Sequence, residues 1–167
     1  MKSKAALPMI GKPHAGGFFA GCFYDAGEPF ALIVSPKATG EKESINWGAE
    51  KRLAGALSYS DGPTNTAAMA KAGSALAKWV RGLKIGGHED WYLPSRVEAL
   101  VMFGELRSIK DFEPDQPDGI ARDWYWTSTQ YAGAEGYAWC QSFKFGDQSS
   151  YRKYGCLRAR AVRRISI

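Results

Sequence analysis

The feature that most constrains this chain is a change in the spacing of its apolar residues. Apolar side chains first recur at helical spacing, over 66–83 and again over 97–106. The spacing then becomes two, since aromatic and polar residues alternate through 137–145 as in a half-buried strand. A hairpin pattern over 11–34 precedes the helices, and a strand pattern over 157–165 ends the chain. Strands, two helices and further strands in that order predict an α+β fold.

Both predicted helices have recognisable ends. The first is expected to begin near Thr66 and to stop at Gly86-Gly87, because glycine suits the left-handed residue that follows a helix. The second begins with a capping box, in which the side chains of Ser95 and Glu98 each bond to the other residue's backbone N–H group. The polar, Pro-rich stretch 110–123 predicts a long loop.

Composition and charge indicate one globular domain over residues 1–167. Hydrophobic residues make up 45% of the chain and charged residues 23%, which suits a soluble domain with a core of its own. The net charge is +5, but the basic residues are scattered, apart from Arg152-Lys153 and several arginines near the C-terminus. We expect those arginines to be solvated or paired with acids, and we expect no nucleic-acid partner.

The cysteines and the N-terminal segment bear on the compartment. Cys22, Cys140 and Cys156 cannot all pair within the chain and lack C-x-x-C spacing, so buried free thiols are expected. The segment Met1–Pro8 lacks the apolar stretch of a signal peptide, and no apolar run approaches the ~20 residues that cross a bilayer. These features predict synthesis in the cytoplasm and no membrane insertion.

A signature of short motifs is spread over residues 65–165. Its members are Asp90-Trp91-Tyr92-Leu93-Pro94-Ser95, Tyr125-Trp126-Thr127-Ser128-Thr129, Ala138-Trp139, Phe143, Gly146 and Arg160-Ala161-Val162-Arg163. In this order they resemble the C-terminal domain of the Legionella collagen-like adhesin, a family long catalogued as a domain of unknown function. Tyr92 stands where that family usually carries Arg, and we expect the change to alter a salt bridge beneath the second helix. Residues 1–60 match poorly and are predicted to extend the same sheet.

The resemblance implies a C-type-lectin-like fold, in which two helices pack on a small, mostly antiparallel sheet with long loops on one side. The signature residues themselves suit structural roles. Trp91 and Trp126 are expected to fill the space between helices and sheet, and the hydroxyls of 127–129 to satisfy loop backbone. Members of the family often occur in phage and prophage genomes. Because a fold does not fix a function, the function needs a site of its own.

Two kinds of chemistry, calcium binding and catalysis, have partial motifs in the sequence, but neither motif is complete. Glu113-Pro114-Asp115 and Gln116-Pro117-Asp118 resemble lectin calcium motifs, but they precede the Tyr125-Trp126 strand instead of following it. An acidic surface loop is favoured, and whether it binds calcium stays open. The histidines, His14 and His88, form no recognisable triad or zinc motif. We therefore expect no cofactor and no enzymatic activity, a redox or metal enzyme being the weaker alternative.

The predicted ligand-binding surface lies in the late loops and hairpin. Tyr, Gln and Arg side chains make adaptable recognition surfaces at low entropic cost, and Tyr rings can stack on sugars. An exposed hairpin without a ligand is the alternative. The predicted residues are Tyr131, Tyr137, Gln141, Gln148, Tyr151, Arg152, Lys153 and Tyr154.

Taken with the resemblance, these features predict a non-enzymatic attachment domain of a phage or prophage virion, such as a tail-fibre tip, baseplate or capsid decoration protein. Its expected partner is a virion structural protein or a glycan or protein of the host cell surface. A homo-oligomer is expected, because many copies multiply weak binding. The alternative is an intracellular protein-binding module, such as a phage-encoded inhibitor of a host system.

Overall fold

The computed structural model describes residues 6–167, to which every structural statement below refers. Four helices, nine strands and two short 3-10 turns make up this part of the chain. In chain order they are β1 (Pro13–His14), β2 (Gly17–Asp25), β3 (Glu28–Val34), α1 (Lys37–Gly40), β4 (Glu41–Asn46), a 3-10 turn (Ala54–Ala56), α2 (Gly62–Lys71), α3 (Ala75–Arg81), α4 (Arg96–Leu106), a second 3-10 turn (Lys110–Phe112), β5 (Trp124–Gln130), β6 (Tyr137–Ser142), β7 (Gln148–Arg152), β8 (Cys156–Arg160) and β9 (Val162–Ser166).

The strands form two sheets. One has the order β1-β2-β3-β9 and the other the order β4-β8-β5-β6-β7. Every pairing is antiparallel except that of β5 with β8. This mixed architecture of helices and two curled sheets confirms the α+β prediction and is compatible with a C-type-lectin-like fold. Within the described residues, no helix is long and apolar enough to cross a membrane.

The first predicted helix is wrong as a single element, because α2 and α3 are separate helices. Gly73 between them has a φ of +95°, which a right-handed helix does not allow. The Ser74 side chain then caps α3 by accepting a hydrogen bond from Ala77 N–H (3.2 Å). Helix α2 also begins earlier than predicted, with Asp61 as its N-cap. The apolar spacing continues across the break because both helices face the same core.

Two predicted strands end differently from the sequence pattern. The predicted strand 137–145 stops at Ser142, since Phe143–Asp147 turn back into β7. The predicted strand 157–165 is interrupted at Ala161, so that β8 and β9 pair in different sheets. The cysteines are free as predicted, but only Cys140 is buried, whereas Cys22 and Cys156 are exposed. The hairpin turn Asp25–Glu28 is confirmed.

Three tryptophans occupy the core between the helices and the sheets. Trp47, Trp91 and Trp126 are at most 2% exposed. Each indole N–H donates to a backbone carbonyl, at 2.8 to 3.1 Å. The rings therefore supply apolar contact without an unpaired donor. This confirms the structural roles predicted for Trp91 and Trp126.

The signature segment before α4 is joined directly to the C-terminal strand. Tyr92 and Val162 exchange two backbone hydrogen bonds, of 2.8 and 2.9 Å. Next to them, the guanidinium of Arg163 donates twice to the Asp90 carboxylate, at 2.7 and 2.9 Å, and lowers the pKa of that carboxyl. Two motifs more than 60 residues apart thus form one contact. We name it the 90–163 tie.

The arginines near the C-terminus were expected to be either solvated or paired with acids, and the structure shows them paired. Arg158 and Arg160 contact Glu41, Arg163 contacts Asp90, and Arg164 contacts Asp25 and Asp61. Arg160 is 1% exposed and also donates to the backbone carbonyls of Ser35, Asp118 and Gly119. It therefore joins the loop after β3 to the loop before β5 through buried hydrogen bonds.

At Tyr92, where the family that the signature resembles usually carries Arg, the structure has a buried hydrogen bond. Its hydroxyl donates to the carboxyl group of Glu98, which lies fully buried under the start of α4. The other carboxyl oxygen of Glu98 completes the predicted capping box by accepting from Ser95 N–H (2.7 Å). Burial raises the pKa of Glu98 from 4.5 to about 7. A hydroxyl can bond to either protonation state of the carboxyl, whereas an arginine would favour only the charged one.

This pair predicts a pH-dependent stability. Because the folded protein holds the Glu98 proton more tightly than the unfolded chain, the stabilisation is complete below pH 4.5 and is lost as the pH rises towards 7. The Glu98→Gln variant keeps the capping box and should flatten this slope by up to roughly 1.4 kcal/mol per pH unit. Urea unfolding between pH 4.5 and 7 measures the effect. Glu89→Gln, at an exposed ion pair, is the control; equal slopes in Glu98→Gln and wild type would contradict the assignment.

Candidate functional site

A stacked arginine is the centre of the candidate site. The guanidinium carbon of Arg96 lies 3.5 Å from the ring centroid of Trp139 and 4.5 Å from that of Tyr59. Trp139 in turn meets Tyr131 edge to face, with ring centroids 5.1 Å apart. Gln148 bonds to the Arg96 side chain at 2.8 Å. We name these five residues, Tyr59, Arg96, Tyr131, Trp139 and Gln148, the Arg96 patch.

Arg96 is held in place at both its backbone and its side chain. It is the first residue of α4, directly after the capping residue Ser95, and its N–H donates to Thr129 Oγ1 (3.2 Å). Gln148 accepts from Arg96 Nε and donates back to the Arg96 carbonyl, both at 2.8 Å. Gln148 also donates to Gln141 Oε1 (2.9 Å). The guanidinium is therefore ordered before any ligand arrives.

The aromatic members of the patch are partly open to solvent. Tyr59 is 52% exposed, while Tyr131 and Trp139 are half-buried. The indole Nε1 of Trp139 is shielded from water and has no hydrogen-bond partner among the described residues. Rings that keep an accessible face can stack on a ligand without first leaving the core.

A second group lies on the same sheet face as the patch. Tyr137 is two residues from Trp139 on β6, so both side chains point to one side of the sheet. Arg152 Nε donates to the Tyr137 hydroxyl at 3.2 Å, and its Nη1 donates to the Tyr154 hydroxyl. Arg152 and Tyr154 are exposed. The face therefore carries two arginines, each set among aromatic rings.

The eight predicted site residues do not form a single surface. Tyr131, Tyr137, Gln148, Arg152 and Tyr154 lie in or beside the aromatic face. Tyr151 points to the opposite side of β7, because neighbouring strand residues alternate between faces. There it borders a cavity of about 360 Å³ that is also lined by Trp124, Cys140 and Leu157.

Gln141 and Lys153 lie in the interior. The Gln141 side chain donates to the carbonyls of Ser142 and Gly146, both at 3.0 Å, and so holds the turn before β7. Lys153 Nζ donates to the Lys51 carbonyl and to Gln130 Oε1, both at 2.8 Å, and burial lowers its pKa to about 8. Both side chains support the loops and do not line the exposed surface.

Tyr59 and Arg96 were not predicted as site residues, and Trp139 was predicted to have only a structural role. Tyr59 sits in a Gly- and Ser-rich loop, and Arg96 follows a capping residue, so neither position carries a local signal. They are identified only by the structure, in which the Arg96 guanidinium stacks on the rings of both Tyr59 and Trp139.

The acidic loop is fixed by backbone contacts. Lys37 N–H donates to Asp118 Oδ1 (3.0 Å), while Arg160 binds the carbonyls of Asp118 and Gly119 at 3.2 and 3.3 Å. No three His, Cys, Asp or Glu side chains in residues 6–167 are grouped as metal ligands. The position of the loop is thus explained by the buried arginine beneath it.

Comparison with known families agrees with the signature. A family model described as the Lcl C-terminal domain matches residues 38–163. The chain belongs to this family. The match begins ahead of the 65–165 signature region and includes Glu41 and Trp47. No curated protein matches the chain. Because the Lcl C-terminal domain is an adhesin-type domain, membership indicates a binding role.

The stack at Arg96 makes a testable contribution to stability. Arg96→Met keeps the apolar stem but removes the guanidinium from between two rings and leaves Gln148 without its donor. We expect a loss of about 1–2 kcal/mol in the free energy of unfolding, measured with urea. Arg107→Met, at the exposed end of the same helix, is the control and should change it by less than about 0.5 kcal/mol. Equal losses in the two variants would contradict an ordered stack.

Proposed function

We propose that this domain is a non-enzymatic attachment module of a phage or prophage virion and that it binds a host surface glycan through the Arg96 patch. The observation that carries the proposal is the fixed guanidinium of Arg96 between the rings of Trp139 and Tyr59. The family's adhesin type supports binding as the general role. That the ligand is a glycan, that the domain belongs to a virion and that it acts in attachment are the specific parts of this proposal.

The chemistry of the patch suits a sugar. A pyranose ring offers C–H groups to an aromatic face and hydroxyls to polar side chains, and it needs both kinds of partner close together. Tyr59 and Tyr131 supply partly open rings, and Arg96 and Gln148 supply donors and acceptors beside them. Sites for small ligands are typically apolar or aromatic surfaces on which a few polar groups fix the orientation of the ligand.

Pre-organisation lowers the cost of binding at this surface. The long side chains of Arg96 and Gln148 lose most of their freedom on folding, because each is bonded to the other. A ligand therefore pays less ordering entropy than it would at flexible surface arginines. A single patch is expected to bind a sugar weakly, and many copies on a virion would strengthen the overall binding.

The patch is composed for binding rather than for catalysis. Its five side chains are three aromatic rings, an amide and a guanidinium. Acid–base and nucleophilic catalysis use His, carboxyl, thiol or lysine groups placed within hydrogen-bond reach of the reacting atoms. This residue set favours recognition without a chemical step.

Glycan binding predicts a selective effect of the exposed ring. On a glycan array, the wild-type domain should retain a defined set of sugars, and Tyr59→Ala should weaken their binding about tenfold through loss of stacking. Phe145→Ala is the control, since Phe145 is 75% exposed and its neighbour Lys144 contacts Arg107 at the C-terminal end of α4, whereas Arg96 lies at the N-terminal end. Equal effects of the two substitutions, or retention of no glycan by the wild type, would contradict the proposal.

The virion role needs its own measurement. Peptides of this chain should be detected by mass spectrometry in purified, nuclease-treated particles, at a constant ratio to the major structural proteins. Particle-free lysate from the same preparation is the control. Recovery only in the particle-free fraction would contradict attachment and would favour the intracellular protein-binding alternative.

A further inference from the structure

Strand β7 is an edge of the five-stranded sheet and lacks the usual protection against pairing with another strand. Its residues Gln148–Arg152 carry one charge, at Arg152, and pair with β6 without a bulge. The opposite edge, β4, carries Glu41, Lys42 and Glu43 and contains a bulge. Because charges and bulges keep exposed edges from pairing, β7 is the open edge of this sheet.

Half of the backbone groups of β7 face away from its own sheet. On the side of β6, the Asp147 carbonyl accepts from Ser142 N–H and Lys153 N–H donates to the Gly136 carbonyl, both at 2.9 Å. Antiparallel ladder bonds recur at every second residue. The backbone groups of Gln148, Ser150 and Arg152 therefore point outward. Among residues 6–167, only the Arg152 carbonyl of these outward groups accepts a bond, from the following turn.

We propose that β7 pairs antiparallel with β7 of a second copy of this chain, about a two-fold axis at Ser150. In this register Ser150 exchanges two hydrogen bonds with its counterpart, and each Arg152 N–H donates to the Gln148 carbonyl of the other copy. About four hydrogen bonds then use the outward groups of both strands. The carbonyl of Arg152 keeps its bond to Gly155 N–H (2.9 Å).

The side chains of β7 fit this register. Tyr151 of each copy lies opposite Ser149 of the other, in a non-hydrogen-bonded pair whose side chains approach closely. Tyr151 is 46% exposed in the single chain, and Ser149 borders the cavity of about 360 Å³ beside Trp124. A large ring thus meets a small residue at an apolar cavity. On the other face, Arg152 meets the neutral Gln148, so no like charges are opposed.

The pairing would join two five-stranded sheets into one and set their aromatic faces side by side. The two Arg96 patches would then lie on the same side of the dimer, since Gln148 belongs to both the patch and the paired strand. This inference rests on the edge of the sheet and holds whether or not the patch binds a glycan.

Charge substitution at the two-fold axis tests the register. By size-exclusion chromatography with light scattering, the wild-type chain should have twice its monomer mass of 18.3 kDa. Ser150→Lys and Ser150→Asp should each be monomeric, because a like charge would face itself across the axis. An equimolar mixture of these two variants should recover the dimer, because the charges are then opposite.

The control is Ser44→Lys, at an exposed position on the opposite edge strand β4, and it should remain dimeric. Thermal melts of all variants verify that each is folded. A monomeric or trimeric wild type would overturn the proposal. Dimers that persist in Ser150→Lys, or a mixture that stays monomeric, would also overturn it.

Discussion

The structure depends on the 90–163 tie, where the segment before α4 is joined to the C-terminal strand. Tyr92 and Val162 share two backbone hydrogen bonds, and the doubly bonded ion pair of Asp90 with Arg163 lies beside them. Strand β9 belongs to the first sheet, whereas β8, one residue earlier, belongs to the second. The tie therefore fixes the helices to the point where the chain passes from one sheet to the other.

The recognition surface depends on the same segment. Four residues after Tyr92 the chain reaches Arg96, whose backbone is set by the Ser95 cap and by Thr129 on β5. The signature thus positions the patch without supplying most of its exposed groups. Trp139 is the exception, since it belongs to the signature and also stacks on Arg96.

Features encoded locally could be predicted from the sequence. The hairpin around Asp25–Glu28, the Ser95–Glu98 capping box and the burial of Trp126 each follow from neighbouring residue types. The break at Gly73 was missed because the apolar spacing runs through it. The patch was not predicted because Tyr59, Arg96 and Trp139 are distant in the chain. Residue patterns within one segment carry no information about contacts between distant segments.

A double-mutant cycle on the ion pair of Asp90 with Arg163 measures how strongly the 90–163 tie holds the frame. Asp90→Asn, Arg163→Met and the double variant would be unfolded in urea at neutral pH. We expect a coupling free energy of about 1 kcal/mol, because the pair is doubly hydrogen-bonded but Asp90 remains partly exposed. Additive losses, within about 0.3 kcal/mol, would show that the two side chains act independently and that their ion pair does not hold the frame.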